Sequence, residues 1–364
     1  MPEPSSGKSE ITAAPTIAGQ PSVVIVNPLK VANWDSMVAK HNSATFFHSA
    51  GWAKVLVNAY GYVPLYLVVQ DSDKIISALP MMDVRSWLTG KRGISLPFTD
   101  ECGILGTDVS AQRATFEFLL SLSKARGWDY FECRGGPRFA GNAAPSVVFF
   151  GHRLDLARSE DAILESMPDS TRRAIRKAEH SGLSVEFSQG LDTVHAFHGL
   201  LCKTRKKHGM PPQPFSFFAE IHRRVLETGN GWIAIARLGR IPVAGAVYFQ
   251  FGTTAVYKYG ASDQKFQHLR ANNLVMWNSI QRLRHDGIQT LDFGRTSIRN
   301  EGLRRFKLGW GTTERPVEYC KYDCRKEGFV DGEDRSSGWH TKLFRMLPTA
   351  VSRLMGAAFY KHAA

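Results

Sequence analysis

The period of the apolar positions changes repeatedly along the chain, and each change marks an element. Trp52, Val55, Leu56 and Tyr60 recur at helical spacing and predict a helix with one apolar face over Trp52 to Tyr60. Trp34 to His41 has the same spacing, and Ser22 to Val26 is a short β-branched run. Pro64 to Val69 and Lys74 to Met81 are apolar runs divided by Asp71-Ser72-Asp73, the pattern of a hairpin. A loop opens at Ser95-Leu96-Pro97-Phe98 and ends at Glu101-Cys102-Gly103. Beyond it the pattern predicts a helix over Ala111 to Arg126, then strands at Tyr130 to Cys133, Ser146 to Phe150 and Arg153 to Leu156.

Ser159 to Ser181 is a strongly basic helical segment, with Arg172, Arg173, Arg176 and Lys177 over about two turns. The alternation then starts again. A strand at Val185 to Phe187 precedes helices at Leu191 to Lys207 and Pro214 to Glu227. Trp232 to Arg237 and Val243 to Phe251 form a hairpin turned at Gly239-Arg240. Strand Thr254 to Tyr259, helix Asn273 to Arg284 and strand Thr290 to Phe293, ending at Gly294, complete it. No sequence repeat is visible, yet the order of elements is duplicated. That order predicts an α/β fold of the mixed α+β kind, with two tandem domains and largely antiparallel sheets, rather than one doubly wound sheet. The expected divisions are a disordered lead-in at 1–20, a first domain at 21–158 and a basic helical connector at 159–184. A second domain at 185–328 and a basic amphipathic tail at 329–364 follow.

Composition narrows the partners more than the fold. The chain has 364 residues, enough for about two domains, and 43% of them are hydrophobic, enough for an ordinary core. A formal net charge of +13 favours an anionic partner: nucleic acid, a phosphorylated substrate or a membrane surface. Five scattered cysteines argue against a disulfide scaffold and suit a reducing compartment. Cys320 and Cys324 have no second pair at zinc-ligand spacing, so no metal site is expected. The first twenty residues lack the basic and apolar blocks of a signal peptide, and no stretch is long and apolar enough to span a bilayer. The expected location is the cytoplasm, with peripheral contact at the inner face of the membrane as the alternative.

Candidate chemistry is densest in Asp292-Phe293-Gly294-Arg295-Thr296 and Phe306-Lys307-Leu308-Gly309-Trp310-Gly311. The first stretch delivers a carboxylate and a guanidinium to a strand end where glycine permits tight turning. The second holds a lysine beside an aromatic ring and small residues, placed to donate to an oxyanion or a phosphate. A structural Asp292–Arg295 ion pair with Lys307 on the surface is the plainer alternative. His208, in Lys206-Lys207-His208-Gly209, stands at a basic helix end as a binding candidate or a simple cap partner. His41 and His48 read as ordinary surface or packed residues.

Together these stretches resemble the FemAB-like transferases of the GNAT superfamily, which join amino acids to cell-wall precursors. The resemblance extends to Ser95-Leu96-Pro97-Phe98 with Asp100 and Gly103, to Arg172 through Ala178, and to His208-Gly209-Met210-Pro211-Pro212. It also takes in Val243-Ala244-Gly245, Tyr257-Lys258-Tyr259-Gly260-Ala261, and Asn272-Asn273-Leu274 with Trp277. It covers about residues 45 to 320, and more narrowly it resembles the branch attached to exosortase and exopolysaccharide systems. It implies two tandem GNAT-like domains with a cleft between them. By that resemblance Lys307, Arg295 and Asp292 are the catalytic candidates, with Lys307 steadying the oxyanion. Asp100, Arg172, Arg176, Lys177, His208, Tyr257, Asn272 and Phe306 are the substrate-binding candidates. The implied cosubstrate is an acyl donor, either acyl-coenzyme A or aminoacyl-transfer RNA, and the implied acceptor is a glycan or lipid-linked precursor. No metal is needed.

Two departures from the family pattern bear on the donor. The long helical hairpin by which the wall-bridge enzymes engage transfer RNA is missing. So is the glycine-rich loop that takes the pyrophosphate of coenzyme A, where Arg270-Ala271-Asn272-Asn273 stands instead, at a helix start able to meet a phosphate. The donor therefore stays open between the two.

In the tail, Leu347, Val351, Leu354, Met355 and Phe359 share one helical face, with Lys342, Arg345, Arg353 and Lys361 around them. That is the pattern of a helix lying on an anionic membrane, or of one docked on the protein itself. Three function classes follow. The first is an acyl- or aminoacyl-transferase acting on an amine or hydroxyl of a cell-envelope glycan or peptidoglycan precursor. The second is a non-catalytic accessory module of polysaccharide biosynthesis or export, and the third is a nucleic-acid binder.

Overall fold

The computed structural model describes residues 21–72, 74–135, 144–332 and 348–363, with backbone alone at 12–13 and 349. The first half runs β1 (Thr12–Ala13), β2 (Val23–Val26), α1 (Trp34–Val38), α2 (Ala50–Tyr60), β3 (Val63–Pro64), β4 (Tyr66–Asp71) and β5 (Lys74–Leu79). It continues with β6 (Met82–Ser86), β7 (Gly90–Ile94), α3 (Val109–Arg126), β8 (Tyr130–Arg134) and β9 (Val147–Asp155). The second half begins with α4 (Glu160–Ser166), α5 (Asp169–Glu179), β10 (Leu183–Ser188), α6 (Leu191–His208) and α7 (Phe215–Ile221). Then come β11 (Gly231–Leu238), β12 (Ile241–Phe251), β13 (Thr254–Ser262), α8 (Ala271–His285) and β14 (Thr290–Thr296). Last are α9 (Glu301–Leu308), β15 (Thr313–Asp323), β16 (Gly328–Val330) and α10 (Thr349–Phe359).

One twelve-stranded sheet passes through both halves in the order β10-β11-β12-β13-β14-β9-β15-β8-β7-β6-β3, with β16 on β15. A smaller sheet, β1-β2-β4-β5, belongs to the first half. Each half contains one parallel pair joined across a helix, β7-α3-β8 and β13-α8-β14, while the other pairings are antiparallel. This is the mixed, duplicated α/β architecture that the order of elements predicts. The halves exchange strands: β9 follows β8 yet pairs with β14, and β15 follows α9 yet pairs with both β8 and β9. Residues 159–184 hold α4, α5 and the first two residues of β10, and α5 packs on α8.

Burial explains the layers. Alternate residues of β11 point to opposite faces: Ile233 and Ile235 join a core with Trp52, Phe217 and Phe249, while Trp232 and Ala234 join one with Ile175, Trp277 and Trp310. α2 starts where the Ser49 hydroxyl accepts the Trp52 N–H and stops at Gly61, whose φ is +73°. It buries Trp52, Val55 and Leu56, the stripe seen in the sequence. Each such side chain contributes about 1.5–3 kcal/mol when fully buried.

Several elements differ from the sequence reading. The two strands expected at Ser146 to Phe150 and Arg153 to Leu156 are one, β9. Gly151 is not a turn there; a Cβ on it would lie 2.7 Å from the Val317 side chain, so glycine serves close packing with β15. β14 does not end at Gly294 but bulges and runs on to Thr296. The basic helical segment is broken in two at Pro168. Hairpin β6–β7 escapes the pattern because buried Asp83 and Arg92 interrupt its apolar alternation. Of the expected lead-in and tail, residues 1–20 lie outside the described residues apart from the backbone of 12–13, as do 333–347 with Lys342, Arg345 and Leu347.

Candidate active site

Strands β13 and β14 are paired only from Thr254 to Val256 against Thr290 to Asp292, and beyond that they separate. A bulge opposite Val247 and Tyr248 lets Lys258 and Tyr259 face the same way, which ordinary alternation forbids. Lys258 thereby enters the gap, its side chain 5% exposed, with its ammonium 5.1 Å from the Phe47 ring centre and 5.4 Å from that of Tyr259.

The loop after β7 closes the gap from the first half. Leu96 and Phe98, on either side of Pro97, have φ of +58° and +60°, a strained conformation for residues with side chains. It is held by several bonds: Ser95 Oγ donates to the Cys102 carbonyl at 3.0 Å, and the Tyr319 hydroxyl donates to the Asp100 carbonyl at 2.6 Å. Buried His48 completes the brace, with Nδ1 accepting the Thr45 N–H at 3.1 Å and Nε2 donating to the Gly103 carbonyl at 3.0 Å. Burial pushes the His48 pKa down to about 4, so it is a neutral strut at physiological pH.

This loop brings Asp100 to Lys258, with Nζ to Oδ2 at 3.0 Å. Burial would raise the Asp100 pKa, but Lys258, Arg295 and Lys307 outweigh it and hold the carboxyl below its ordinary range. Burial lowers the Lys258 pKa, with Asp100 opposing it. Arg295 sits half-buried with its guanidinium 4.1 Å from the Phe149 ring centre and 5.0 Å from that of Tyr319. Among the described residues it is stacked on rings and not bound to a carboxylate. A narrow recess lies between these groups, lined by Thr45, Phe47, Asp100, Asp292, Gly294 and Arg295.

Lys307 is buried, and its ammonium donates to the carbonyls of Gly294 and Arg295, each at 2.9 Å. Burial, with Lys258 and Arg295 nearby, lowers its pKa to about 8 against the pull of Asp100 and Asp292. It ties down the backbone of the recess from behind, contributing charge but leaving little of its ammonium for a substrate. Asp292 is likewise engaged. Its carboxylate accepts the Gly294 N–H at 2.7 Å and Arg153 Nε at 3.0 Å, with Arg315 at 3.7 Å. Arg315 also forms a two-pronged pair with Glu101. The plainer alternative, an Asp292–Arg295 ion pair with Lys307 on the surface, is not what forms: Asp292 pairs with Arg153 and Arg315, and Lys307 is buried. Gly294 has φ +69°, and a Cβ there would lie 2.9 Å from the Asp100 carboxylate, so only glycine lets the strand pass so close.

The structure thus brings Asp100, Arg295, Lys307 and Asp292 together and leaves the other sequence candidates elsewhere. Tyr257 points to the opposite face of β13 from Lys258, with its ring 5.9 Å from Phe293, and burial raises its pKa to about 12. Phe306 packs on Trp310 at 6.2 Å in the same core. Both are packing residues. Arg176 and Lys177 are exposed on α5, and Arg172 pairs with Asp169 one turn away. His208 is the exposed last residue of α6. Asn272 lies at the start of α8, its Nδ2 3.3 Å from Ser262 Oγ, at the end of the stretch of β13 that pairs with β12 but not with β14. Lys258, which sequence reasoning quoted without a role, is central. Among the described residues no cluster of His, Cys, Asp and Glu is arranged to hold a metal ion.

Residues 166–308 match the model of the acetyltransferase (GNAT) domain. The fold is a tandem GNAT-like one. The chain is similar to FemX, with TM-score 0.65 and 15% identity over 81% of this chain and 96% of that one. It is also similar to the C-terminal domain (DUF2156) of a putative lysylphosphatidylglycerol synthetase from Agrobacterium fabrum, with TM-score 0.57 and 14% identity, covering 92% and 97%. A tandem GNAT protein from the clavulanic acid biosynthesis pathway gives TM-score 0.53 and 10% identity, covering 83% and 98%. At such identities the likeness is one of fold. A search of curated proteins finds no match.

Proposed function

We propose that this protein is an acyltransferase that moves an acyl group from an activated donor to an amine or hydroxyl, with Asp100, Lys258 and Arg295 as the reacting centre. The observation that carries this reading is the paired carboxylate and ammonium at the point where β13 and β14 part. A carbonyl held in that gap meets the Arg295 guanidinium in its lining, with the Lys258 ammonium behind Asp100. The attacking amine is oriented by a hydrogen bond to Asp100. Because the pKa of this carboxyl is low, it takes the proton only after the carbon–nitrogen bond has formed, when the attached ammonium has become acidic. Arg295 and Lys258 hold the negative charge that gathers on the carbonyl oxygen, and collapse expels the donor's leaving group. Lys307 and Asp292 are positioning residues: one fixes the Gly294–Arg295 carbonyls, the other the turn at Gly294.

An acyl thioester is the favoured donor over aminoacyl-transfer RNA. The matched GNAT domain supports it, and residues 144–332 contain no inserted helical hairpin. α8 opens at Ala271 and Asn272, ahead of the Asn273 and Leu274 N–H groups that donate to the Arg270 carbonyl, and such a helix start suits a donor phosphate. The acceptor fits a cell-envelope glycan, peptidoglycan or exopolysaccharide precursor, nucleotide-linked or lipid-linked. The resemblance in sequence to the FemAB-like transferases supports that class, and the lysylphosphatidylglycerol synthetase domain, similar in fold, is named for a lipid product.

Mass spectrometry of glycan precursors from cells with and without the protein tests this reading. One discrete added mass that disappears with the protein is expected. Identical precursor masses in both, together with no acyl transfer by purified protein from any thioester or aminoacyl donor tried, would remove it.

A further inference from the structure

Five of the twelve exposed large hydrophobic side chains among the described residues lie on two elements that meet at His362: Trp87 and Leu88 on the tip of hairpin β6–β7, and Val351, Leu354 and Phe359 along α10. Trp87 is 83% exposed and Leu354 72%, values that no demand of the core explains. Two elements distant in sequence are joined to make this surface. α10 rests on the protein through its small face, where Ser352 and Gly356 are buried and a Cβ on Gly356 would strike the Pro212 carbonyl. That docking turns Val351 and Leu354 outward. The chain after α10 is then clamped by the tip of hairpin β6–β7. Ser86 Oγ lies 2.8 Å from His362 Nδ1, Thr89 Oγ1 and buried Arg92 donate to the His362 carbonyl at 2.9 Å each, and the Trp87 ring packs edge-on to His362 at 5.5 Å.

The charges beside this surface are mostly positive, and the one carboxylate at the hairpin tip, Asp129, is paired with Arg325. Residues 348–363 include Arg353 and Lys361 and no carboxylate. Arg85 and Lys91 are exposed on the hairpin, whose one acid, Asp83, is buried beneath Arg85 and Trp128. An exposed tryptophan and phenylalanine rimmed by lysine and arginine match the interface of an anionic bilayer, where the rings lie among headgroups and the cations meet phosphates.

We propose that the outward face of α10 and the Trp87–Leu88 tip form one docking surface for an anionic lipid membrane. The membrane would then meet the chain beside the candidate active site, because Tyr360 packs on Phe98 at 5.6 Å, two residues before Asp100. A lipid-linked acceptor could reach the recess without leaving the bilayer. The docking claim itself does not depend on the chemistry proposed above, and its test reads no catalysis.

The full chain is sedimented with vesicles of phosphatidylcholine alone, or of phosphatidylcholine mixed equally with phosphatidylglycerol. Binding is expected to the mixed vesicles and to weaken with added salt. The pair Trp87→Ser with Leu88→Ser, and separately Leu354→Ser with Phe359→Ser, should each weaken it about tenfold or more. Ile241→Ser, an exposed apolar site on the hairpin at the opposite end of the sheet, should leave it unchanged. Failure to sediment with the mixed vesicles would overturn the proposal, as would binding indifferent to both pairs. So would a dimer, seen by light scattering, that either pair dissociates, since a second copy would then be what covers this face.

Discussion

Asp100 and Lys258 stand 158 positions apart in sequence and 3.0 Å apart in space, one from each half of the chain. A carboxylate and an ammonium so sheltered from water depend on each other, since either alone leaves a buried charge unpaired. Asp100→Asn and Lys258→Met are each expected to cost about 2–4 kcal/mol of stability. The double variant should cost less than their sum by at least about 1 kcal/mol, as residues in contact couple. Denaturant unfolding of the four proteins checks it, and strict additivity would show that the pair is not joined in solution.

Lys307 gives a second expectation, with a pH dependence. Its two hydrogen bonds go to backbone carbonyls, so Lys307→Met leaves both without a partner and should cost about 2–4 kcal/mol. Its folded pKa of about 8 lies below its unfolded value near 10.4. Between those values the unfolded chain holds a proton that the native one has released, so this residue adds stability as pH rises. The contribution is fully present above about 10.4 and is lost as pH falls through about 8, close to 3 kcal/mol in all. The stability gap between wild type and variant should therefore widen from pH 7 to 10. A constant gap would mean that the amine is not buried.

Gly294→Ala tests the close approach of the two loops. Its positive φ and the Asp100 carboxylate 2.9 Å from the new Cβ both oppose the change. A loss of about 1–3 kcal/mol is expected, with acyl transfer falling further than stability because Asp100 is displaced. Unchanged thermal unfolding would show that β14 does not pass Asp100 as described.

The sequence made the duplicated order of elements legible, because Trp52, Val55 and Leu56 and the alternation of β11 and β12 follow burial directly. It also pointed to Lys307, Arg295 and Asp292 as one group, and to Asp100 separately as a substrate-binding candidate, through the resemblance and not through spacing. The roles were harder to read. Lys258 reaches Asp100 only because of a bulge, and Tyr257 faces the other way for the same reason; strict alternation, all that a sequence shows, does not reveal the break. The partners of Lys307 are backbone carbonyls, which have no signature in side chains. Asp292 finds Arg153 and Arg315 across strands exchanged between the halves, a pairing that local order cannot anticipate.

Arg295 offers the most direct test, for its guanidinium rests on two rings and little else of the fold depends on it. Such ring contacts contribute only about 0.5–1 kcal/mol, so Arg295→Ala should unfold almost as wild type does. Single-turnover acyl transfer to an amine acceptor should nonetheless slow by about 10²–10³, the typical effect of losing one oxyanion donor. A folded Arg295→Ala protein that transfers the acyl group at the wild-type rate would place the chemistry elsewhere.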